Sequence, residues 1–374
     1  MIWNNNYITA SVLVLVVIIL SLTFFYSFRV LLKEGEIINN YGEIKNKNDL
    51  LIENNEENKE FQQINFLGDV MLARHVEYLM SEYGADYPFR SINFIDPEKD
   101  YTFANFEASI PIKHVKTPNF GFNFSVNPQY LGSLKRAGVT HLSLANNHAF
   151  DFGYDGFKNS RLQLEKNNLI SFGQPNDLST SSITYVSLSK HKVAVIAIHS
   201  VFTLPKEADL INVINQAKDN SDLQVIFIHW GVEYERKQAK NQRLLAKKFS
   251  ELGIDLVIGH HPHVVQGIER INNTLVVYSL GNFIFDQYFN KDVRQGLVVQ
   301  LIEKEGLDLE LNLIPVTSEN TLAQPVPMSD DEREEFLTEL SQYSDLEIQD
   351  NIKSGKINLD SQLATSTEKA IIAR

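Results

Sequence analysis

A cluster of three histidines is the part of this sequence best suited to chemistry. A short apolar run ends at Gly259 and is followed directly by His260, His261, Pro262 and His263. Proline disfavours the helical conformation for the residue before it, so we expect His261 to be extended. Side chains two apart in an extended segment point the same way, which places His261 and His263 on one face and His260 on the other. Two imidazoles sharing a face at the end of a buried strand are typical of metal ligands, with solvated loop histidines as the alternative.

Four other apolar runs also end in residues that can hold a metal or move a proton. They end at Asp69, at Glu107, at Asn147 with His148, and at His229. Ligands of open α/β sheets bind outside the carboxyl ends of the strands, so we expect these side chains to meet the histidines in one crevice. Each residue alone has an ordinary interpretation, such as a helix N-cap for Asp69. Their joint occurrence at five strand ends is what indicates a shared site.

The elements that must position these residues follow the rhythm of an α/β domain. Apolar runs alternate with helical patterns from residue 63 onwards. A helix is predicted that Asn127 caps and Gly138 ends, and a second one is predicted near 238–252. Strands are predicted at 274–279, 297–303 and 307–316, with a turn at 304–306 between the last two.

The composition restricts the classes of function. Hydrophobic residues make up 43% of the 374 residues, so a sizeable core is expected. The formal net charge of −13 argues against nucleic acid as a partner, because phosphate binding needs clustered Lys and Arg. An anionic substrate would therefore need a local positive site, which a metal ion can supply. The absence of cysteine excludes thiolate metal sites, disulfides and cysteine catalysis.

The N-terminal part of the sequence is predicted to anchor the chain in a membrane as a single-pass helix. Residues 8–28 carry no charge and match the roughly 20 residues that a helix needs to cross a bilayer. A cleaved signal peptide is the alternative, but its apolar core is normally about 7–15 residues and comes after a positive segment, which residues 2–7 lack. Arg29 and Lys33 favour a cytoplasmic location for the chain after the span, so charge alone leaves the orientation open.

Composition divides the chain into four parts. Residues 1–32 form the predicted membrane anchor. Residues 33–62, rich in Asn, Glu and Lys, form a predicted stalk that has too little apolar surface to order itself. Residues 63–327 form the predicted globular domain. Residues 328–374 are predicted to be an acidic and polar C-terminal appendage that begins with a helix.

Six motifs, in a fixed order, give the sequence a family resemblance. They are Gly-Asp-x-Met at 68–71, Asn-Phe-Glu at 105–107, Ala-Asn-Asn-His-x-Phe-Asp-Phe-Gly at 145–153, His-Trp-Gly-x-Glu-Tyr at 229–234, Gly-His-His-Pro-His-Val-Val-Gln at 259–266 and Ser-Leu-Gly-Asn-Phe-Ile-Phe-Asp-Gln at 279–287. Together they resemble the CapA-type poly-gamma-glutamate capsule synthesis family over about residues 63–317.

That family is itself similar to the calcineurin-like metallophosphoesterases, and the resemblance implies a fold and a site. The implied fold is a sandwich of two β-sheets flanked by helices, with one or two divalent transition-metal ions (Mn, Fe or Zn) at the strand ends. His148 would act as the general acid. The implied metal ligands are Asp69, Glu107, Asn147, His229, His261 and His263.

Two positions depart from the phosphoesterase pattern. Met71 stands where those enzymes carry a histidine, and a thioether is a poor ligand for a hard divalent ion. Glu107 stands where they usually carry an aspartate. These departures put hydrolysis in doubt and leave a one-metal or metal-free site open.

The leading functional hypothesis is a membrane-anchored, externally facing protein of poly-gamma-glutamate capsule synthesis or export. It would act on an anionic polymer or a phosphorylated substrate, within a membrane-bound capsule synthesis complex. One alternative is a metal-dependent phosphoesterase with an unrelated extracellular substrate. The other is a non-catalytic module that binds polymer and has lost the chemistry.

Overall fold

The computed structural model describes residues 63–304 and 309–359. Within these residues the strands form a nine-stranded and a six-stranded β-sheet. Both sheets contain a run of parallel strands, and helices cover their outer faces. The predicted α/β fold of two sheets flanked by helices is therefore confirmed.

The first sheet is parallel in one half and antiparallel in the other. Its strands are β1 (Gln63–Val70), β2 (Asp100–Phe106), β3 (His141–Ser143), β4 (Ile170–Phe172), β11 (Asn282–Ile284), β12 (Gln295–Glu303), β13 (Leu309–Thr317), β14 (Val326–Pro327) and β15 (Lys356–Asn358). Their order is β14-β13-β12-β1-β2-β3-β4, with β11 paired to β1 and β15 paired to β13. Strands β1 to β4 run parallel, whereas β12 to β15 pair antiparallel.

The second sheet has a parallel centre between two antiparallel edges. Its strands are β5 (Ile183–Ser187), β6 (Lys192–Ser200), β7 (Leu223–Trp230), β8 (Leu256–His260), β9 (Ile268–Ile271) and β10 (Thr274–Val277). Their order is β5-β6-β7-β8-β10-β9, in which β6, β7, β8 and β10 run parallel. The three strands predicted late in the domain correspond to β10, β12 and β13, and most of the turn predicted at 304–306 lies outside the described residues.

The two sheets face each other across an apolar layer. Phe66 and Phe103 of the first sheet pack against Phe227 of the second, with ring centroids 6.2 and 6.5 Å from it. Alternate residues of the same strands point outward, where helices bury them; Phe103 lies in the central layer and Ala104 on the outer face. This period of two is why both sheets are buried on both faces.

Helices follow the parallel strands and cover the outer faces. Asn127 accepts the N–H of Gln129 at 3.2 Å, as an N-cap does, and Gly138 ends that segment with φ +88°. The helix predicted near 238–252 is also present. The helices are α1 (Arg74–Tyr83), α2 (Leu131–Arg136), α3 (Gly153–Lys166), α4 (Glu207–Lys218), α5 (Lys240–Glu251), α6 (Asp330–Gln342) and α7 (Gln349–Ser354).

Within the predicted C-terminal appendage, the described residues 328–359 are part of the domain. Helix α6 begins after Ser329, as predicted, but Phe336, Leu337 and Leu340 are buried in the apolar layer of the first sheet. Strand β15 then adds to β13, pairing Ile357 with Leu311. The acidic composition misled the prediction, because the few apolar residues of α6 all lie on one buried face.

The predicted membrane anchor at 8–28 and the stalk at 33–62 lie outside the described residues. Among the helices of 63–304 and 309–359, none is both long and apolar enough to cross a membrane.

His141 is expected to make the stability of this fold depend on pH. It is buried in β3, and its ring stacks on Phe103 with centroids 4.3 Å apart. Burial lowers the pKa of His141 from 6.5 to about 3, so the folded chain keeps it neutral while the unfolded chain takes up a proton. The stabilisation is complete above pH 6.5 and is lost as the pH falls toward 3. At pH 5 this residue should lower the free energy of unfolding by about 2 kcal/mol.

Urea unfolding at pH 7 and pH 5 measures this contribution of His141. His141→Leu should reduce the difference in unfolding free energy between the two pH values by about 2 kcal/mol. An identical pH dependence in the parent and the variant would show that His141 is not its source.

Candidate metal centre

The carboxyl ends of five parallel strands bring the predicted metal ligands together. Three of these strands belong to the first sheet, with Asn147 after β3, and two belong to the second. Asp69 lies in β1 and Glu107 follows β2, while His229 lies in β7 and the histidine cluster follows β8. The ligand atoms form two groups, and within each group they lie within 4.8 Å of one another. One group is Asp69, Glu107 and His229, and the other is Glu107, His261 and His263. Glu107 belongs to both groups, so one carboxylate joins them.

Glu107 is a fully buried carboxylate with no hydrogen-bond partner on either oxygen. Its Oε1 lies 3.6 Å from Nε2 of His263 and 3.7 Å from Nε2 of His148. Burial raises the pKa of Glu107 well above its usual value. A buried carboxylate that is left unpaired costs free energy, so both oxygens of Glu107 fit a cation placed between the two groups.

Asp69 is also fully buried, but its oxygens have partners. Oδ1 accepts a hydrogen bond from Nδ2 of Asn105 at 2.8 Å, and Oδ2 accepts the backbone N–H of His261 at 3.3 Å. Oδ2 also lies 3.3 Å from Nδ1 of His263. Burial opposes the ionisation of Asp69, but the hydrogen bond and the charge of His263 outweigh it and hold the pKa below its usual value.

The backbone around Pro262 is a tight turn and not the predicted extended segment. His261 has φ +96° and His263 has φ +59°, both in the left-handed region. The turn is held by Asp69, which accepts the N–H of His261, and by the Pro262 carbonyl, which accepts the N–H of Tyr234 at 2.8 Å. The period-two argument was therefore wrong about the backbone, although both imidazoles enter the site with ring centroids 6.0 Å apart.

Before a metal ion binds, the two imidazoles differ in charge, and binding would release the proton of His263. Burial by itself lowers the pKa of His263, but the carboxylates of Glu107 and Asp69 outweigh it and raise the pKa to about 9. Burial and the positive charge of His263 lower the pKa of His261 to about 3. Nδ1 of His261 is buried without a partner, and a neutral imidazole nitrogen with a free lone pair is the form that binds metals.

His229 and Asn147 form a pair on the other side of the site. Nε2 of His229 lies 2.7 Å from Oδ1 of Asn147. Burial lowers the pKa of His229 well below its usual value, and the neighbouring His261 adds to this. The pair therefore offers an imidazole nitrogen and an amide oxygen next to the group that contains Asp69 and Glu107.

His148 stands beside these groups in the position expected of a proton donor. Its Nδ1 lies 3.0 Å from Oδ2 of Asp151, and its ring stacks on Phe124 with centroids 4.1 Å apart. The backbone N–H of His148 donates to Oδ1 of Asn146 at 3.1 Å. These contacts hold the ring so that Nε2 points toward Glu107.

Met71 and His260 both lie outside the site. Met71 is buried among apolar side chains, and its Sδ accepts the backbone N–H of Ala73 at 3.0 Å. His260 faces away, as predicted, but it is fully buried against Phe227 and donates from Nε2 to the carbonyl of Leu67 at 3.1 Å. His260 therefore links the two sheets, which its sequence position did not reveal.

Three residues that orient the ligands were not predicted. Asn105 donates to Asp69, lies 3.0 Å from Nδ1 of His229 and accepts from Asn146 at 3.1 Å. Asn282 contacts Nδ1 of His263 through Oδ1 at 2.9 Å. Asp151 holds His148. Each lies inside one of the six motifs, so a polar residue within a motif was the available signal.

The donor set fits a metal ion. Carboxylates of Asp69 and Glu107, imidazoles of three histidines and an amide oxygen are the mixed oxygen and nitrogen ligands that divalent metals take in proteins. The unpartnered oxygens of Glu107 and Nδ1 of His261 are the atoms that the protein itself leaves unsatisfied. This part of the chain can therefore hold a metal ion between the two sheets.

Comparison with known proteins assigns the family. A family model described as "Bacterial capsule synthesis protein PGA_cap" matches residues 63–287, which include every predicted site residue. The chain belongs to this bacterial capsule synthesis family. The resemblance read from the six motifs is thus confirmed.

Two relatives of the family extend over most of the chain. The PGA biosynthesis protein CapA of Bacillus subtilis (strain 168) is 30% identical over 311 residues, covering 79% of this chain and 81% of that protein. The capsule biosynthesis protein CapA of Bacillus anthracis is 31% identical over 281 residues, covering 70% of this chain and 68% of that protein.

Two solved structures have a related arrangement. One is a novel phosphatase from Mycoplasma pneumoniae, with a TM-score of 0.40, 16% identity, and coverage of 72% of this chain and 94% of that one. Another is a hypothetical protein from Thermus thermophilus, with a TM-score of 0.38, 16% identity, and coverage of 71% of this chain and 98% of that one. With TM-scores this low, these likenesses support no conclusion about the chemistry of this family member.

Proposed function

We propose that this chain takes part in poly-gamma-glutamate capsule synthesis or export as a membrane-anchored protein whose globular domain faces outward. Family membership and the two CapA relatives, which are named for PGA and capsule biosynthesis, support this role. The observation that carries a metal-dependent role is the buried carboxylate of Glu107, which joins both ligand groups and has no hydrogen-bond partner on either oxygen.

The proposed ion is a divalent transition metal, Mn, Fe or Zn, and the site takes one or two ions. Asp69, Glu107, Asn147, His229, His261 and His263 would hold it. Imidazole ligands mixed with carboxylate and amide oxygens suit these metals better than Ca²⁺, which prefers oxygen ligands throughout. In a chain with a net charge of −13, the ion also supplies the local positive charge that an anionic polymer or a phosphorylated substrate needs.

The proposed reaction is hydrolysis of a phosphoryl or acyl bond. When bound, the metal supplies Lewis-acid polarisation of the oxygen on the reacting centre. Water adds to the reacting centre as the leaving group departs. His148, in its imidazolium form, would donate the proton from Nε2 to the leaving oxygen, and Asp151 at Nδ1 holds the ring in the orientation that this step requires. Phe124, which stacks on the ring, excludes water from one face of the donor.

The anchor and the partners belong to the same proposal. Residues 8–28 would hold the chain at the cell membrane, and the stalk at 33–62 would carry the domain into the external space where capsule polymer is a product. There the chain would work within a membrane-bound capsule synthesis complex. The absence of charge between residues 8 and 28 supports the anchor.

Two other functions each have one observation in their favour. The contact between His148 and Asp151 favours a phosphoesterase, and such an enzyme could act on an unrelated extracellular substrate. The burial of Met71 within the core favours a non-catalytic module that binds polymer. Met71 stands where the phosphoesterases carry a histidine ligand, and in the core it cannot serve as one.

Complementation in cells that make poly-gamma-glutamate tests the proposal. In a strain that lacks the corresponding gene, the parent chain should restore capsule, and Glu107→Gln should leave the yield near that of the deletion strain. Gln keeps the shape of Glu107 but removes the negative charge that both ligand groups share. Glu303→Gln, outside the site, is the matched control and should restore yield.

Immunoblots must show equal amounts of each protein. Full restoration of capsule by Glu107→Gln would show that the function does not need the metal site. Failure of the parent chain to restore capsule would contradict the proposed role in capsule synthesis.

A further inference from the structure

An exposed apolar loop lies beside the candidate metal centre. It spans residues 111–123 and follows β2, whose carboxyl end carries Glu107. Four of its side chains are largely exposed: Ile112 (78%), Val115 (64%), Phe120 (92%) and Phe122 (77%). Large apolar side chains grouped on one surface mark a place where a protein meets another phase or partner.

Two polar side chains of this loop, His114 and Thr117, point inward and hold it in place. His114 contacts Oε1 of Glu77 at 2.9 Å and Oγ of Ser125 at 2.8 Å. Thr117 donates to the carbonyl of Asn123 at 2.8 Å and accepts the N–H of Ser125 at 2.9 Å. These inward contacts fix the backbone of the loop, and its large apolar side chains stay exposed together with two lysines.

The charge of the loop is opposite to that of the whole chain. Lys113 and Lys116 are exposed, and residues 111–123 contain no Asp or Glu, whereas the chain carries a net charge of −13. A second loop on the same edge, after β6, repeats this composition with exposed Phe202 and Leu204 and with Lys206, again without an acid before residue 207. Aromatic and aliphatic side chains combined with lysine are typical of surfaces that enter the interface of an anionic bilayer.

We propose that the loop at 111–123 inserts its apolar side chains into the interfacial region of an anionic membrane. This inference rests on the membrane anchor of the proposed function, because residues 8–28 would keep the domain next to the bilayer. A polyanion is the other partner that the lysines could attract, but it would leave Ile112, Phe120 and Phe122 in water. An anionic bilayer accommodates both, because its headgroups attract the lysines and its apolar interior takes up the apolar side chains.

Insertion of this loop would fix how the metal centre faces the membrane. Phe124, which directly follows the loop, stacks on His148, and its backbone N–H donates to Asp151 at 2.6 Å. The loop and the proton donor are thus one connected unit.

Fluorescence quenching by lipid tests the proposal on the full chain. Because the chain has no cysteine, Asn119→Cys places a single environment-sensitive label in the loop and keeps both phenylalanines. Asp219→Cys, exposed in the turn before β7 and thus on the opposite edge of the sheet, is the matched control. Both proteins are reconstituted in nanodiscs of phosphatidylglycerol and phosphatidylcholine that carry a nitroxide on the lipid chain.

The label at 119 should be quenched several-fold more than the label at 219. Phosphatidylcholine alone should weaken this quenching, and Phe120→Ser combined with Phe122→Ser should reduce it to the level of the control. Equal quenching at both positions would overturn the loop insertion and leave the anchor standing. A chain that does not enter nanodiscs would overturn both, and neither result would bear on the metal centre.

Two measurements without lipid exclude other partners. A change of the signal at 119 that grows with protein concentration would show a second copy of the chain on the loop. A change on addition of poly-gamma-glutamate would show the polymer there. Either result would overturn the membrane proposal.

Discussion

His148→Asn is expected to lower phosphoesterase turnover by about 10²–10⁴-fold, the usual contribution of a general acid. Metal content should stay at the level of the parent, because His148 lies outside both ligand groups and contacts them only through Glu107 at 3.7 Å. The measurement is a comparison of turnover of an aryl phosphate ester with elemental analysis of the same samples.

His191→Asn is the matched control, since this histidine pairs with Glu303 away from the site and should keep the parent turnover. A drop in metal content equal to the drop in turnover would make His148 a ligand and not the donor. If the metal-loaded parent shows no turnover at all, the binding-module function replaces the enzymatic one.

His261→Ala is expected to remove most of the stabilisation that metal gives the parent. A ligand present at 100 times its dissociation constant raises the free energy of unfolding by about 2.7 kcal/mol. His261 supplies a neutral, unpartnered imidazole nitrogen to the group that contains Glu107 and His263. Thermal unfolding with and without Mn²⁺, Zn²⁺ or Fe²⁺ measures this change, together with the metal content after dialysis.

His191→Ala is the control for non-specific metal binding by a histidine outside the proposed centre. Its metal-dependent shift in unfolding temperature should match that of the parent. Equal shifts in His261→Ala and the parent would show that the ion is held elsewhere. The absence of any shift in the parent would exclude the metal site as proposed.

The convergence of the site could be predicted because it depends on topology. Parallel strands end at the same edge of a sheet, so Asp69, Glu107 and His229 could be placed together from the apolar runs that precede them. His261 and His263 were correctly predicted to enter the site together, but the extended backbone on which that prediction rested is a turn. Their left-handed backbone depends on hydrogen bonds with Asp69 and Tyr234, which lie far away in sequence.

Residues that act through tertiary contacts gave weaker signals. Asn105 bridges a strand of each sheet by contacting Asp69 and His229, and no local spacing indicates such a bridge. His260 was expected only to face away from His261 and His263, and its burial between the sheets was not predicted. The same limit applies to the C-terminal segment. Its sequence is mostly acidic, and its few apolar residues are identified as core residues only by their packing in the folded domain.

The pairing of remote strands in the first sheet has a consequence for biogenesis. Strand β1 is flanked by β12, and β13 receives β15 at residues 356–358, so early and late parts of the chain share one sheet. Synthesis runs from the N-terminus, and β1 must wait for β12 while β13 must wait for β15. Until then the nascent polypeptide leaves strand edges and apolar faces open to aggregation, so we expect this protein to mature slowly and to need chaperone protection.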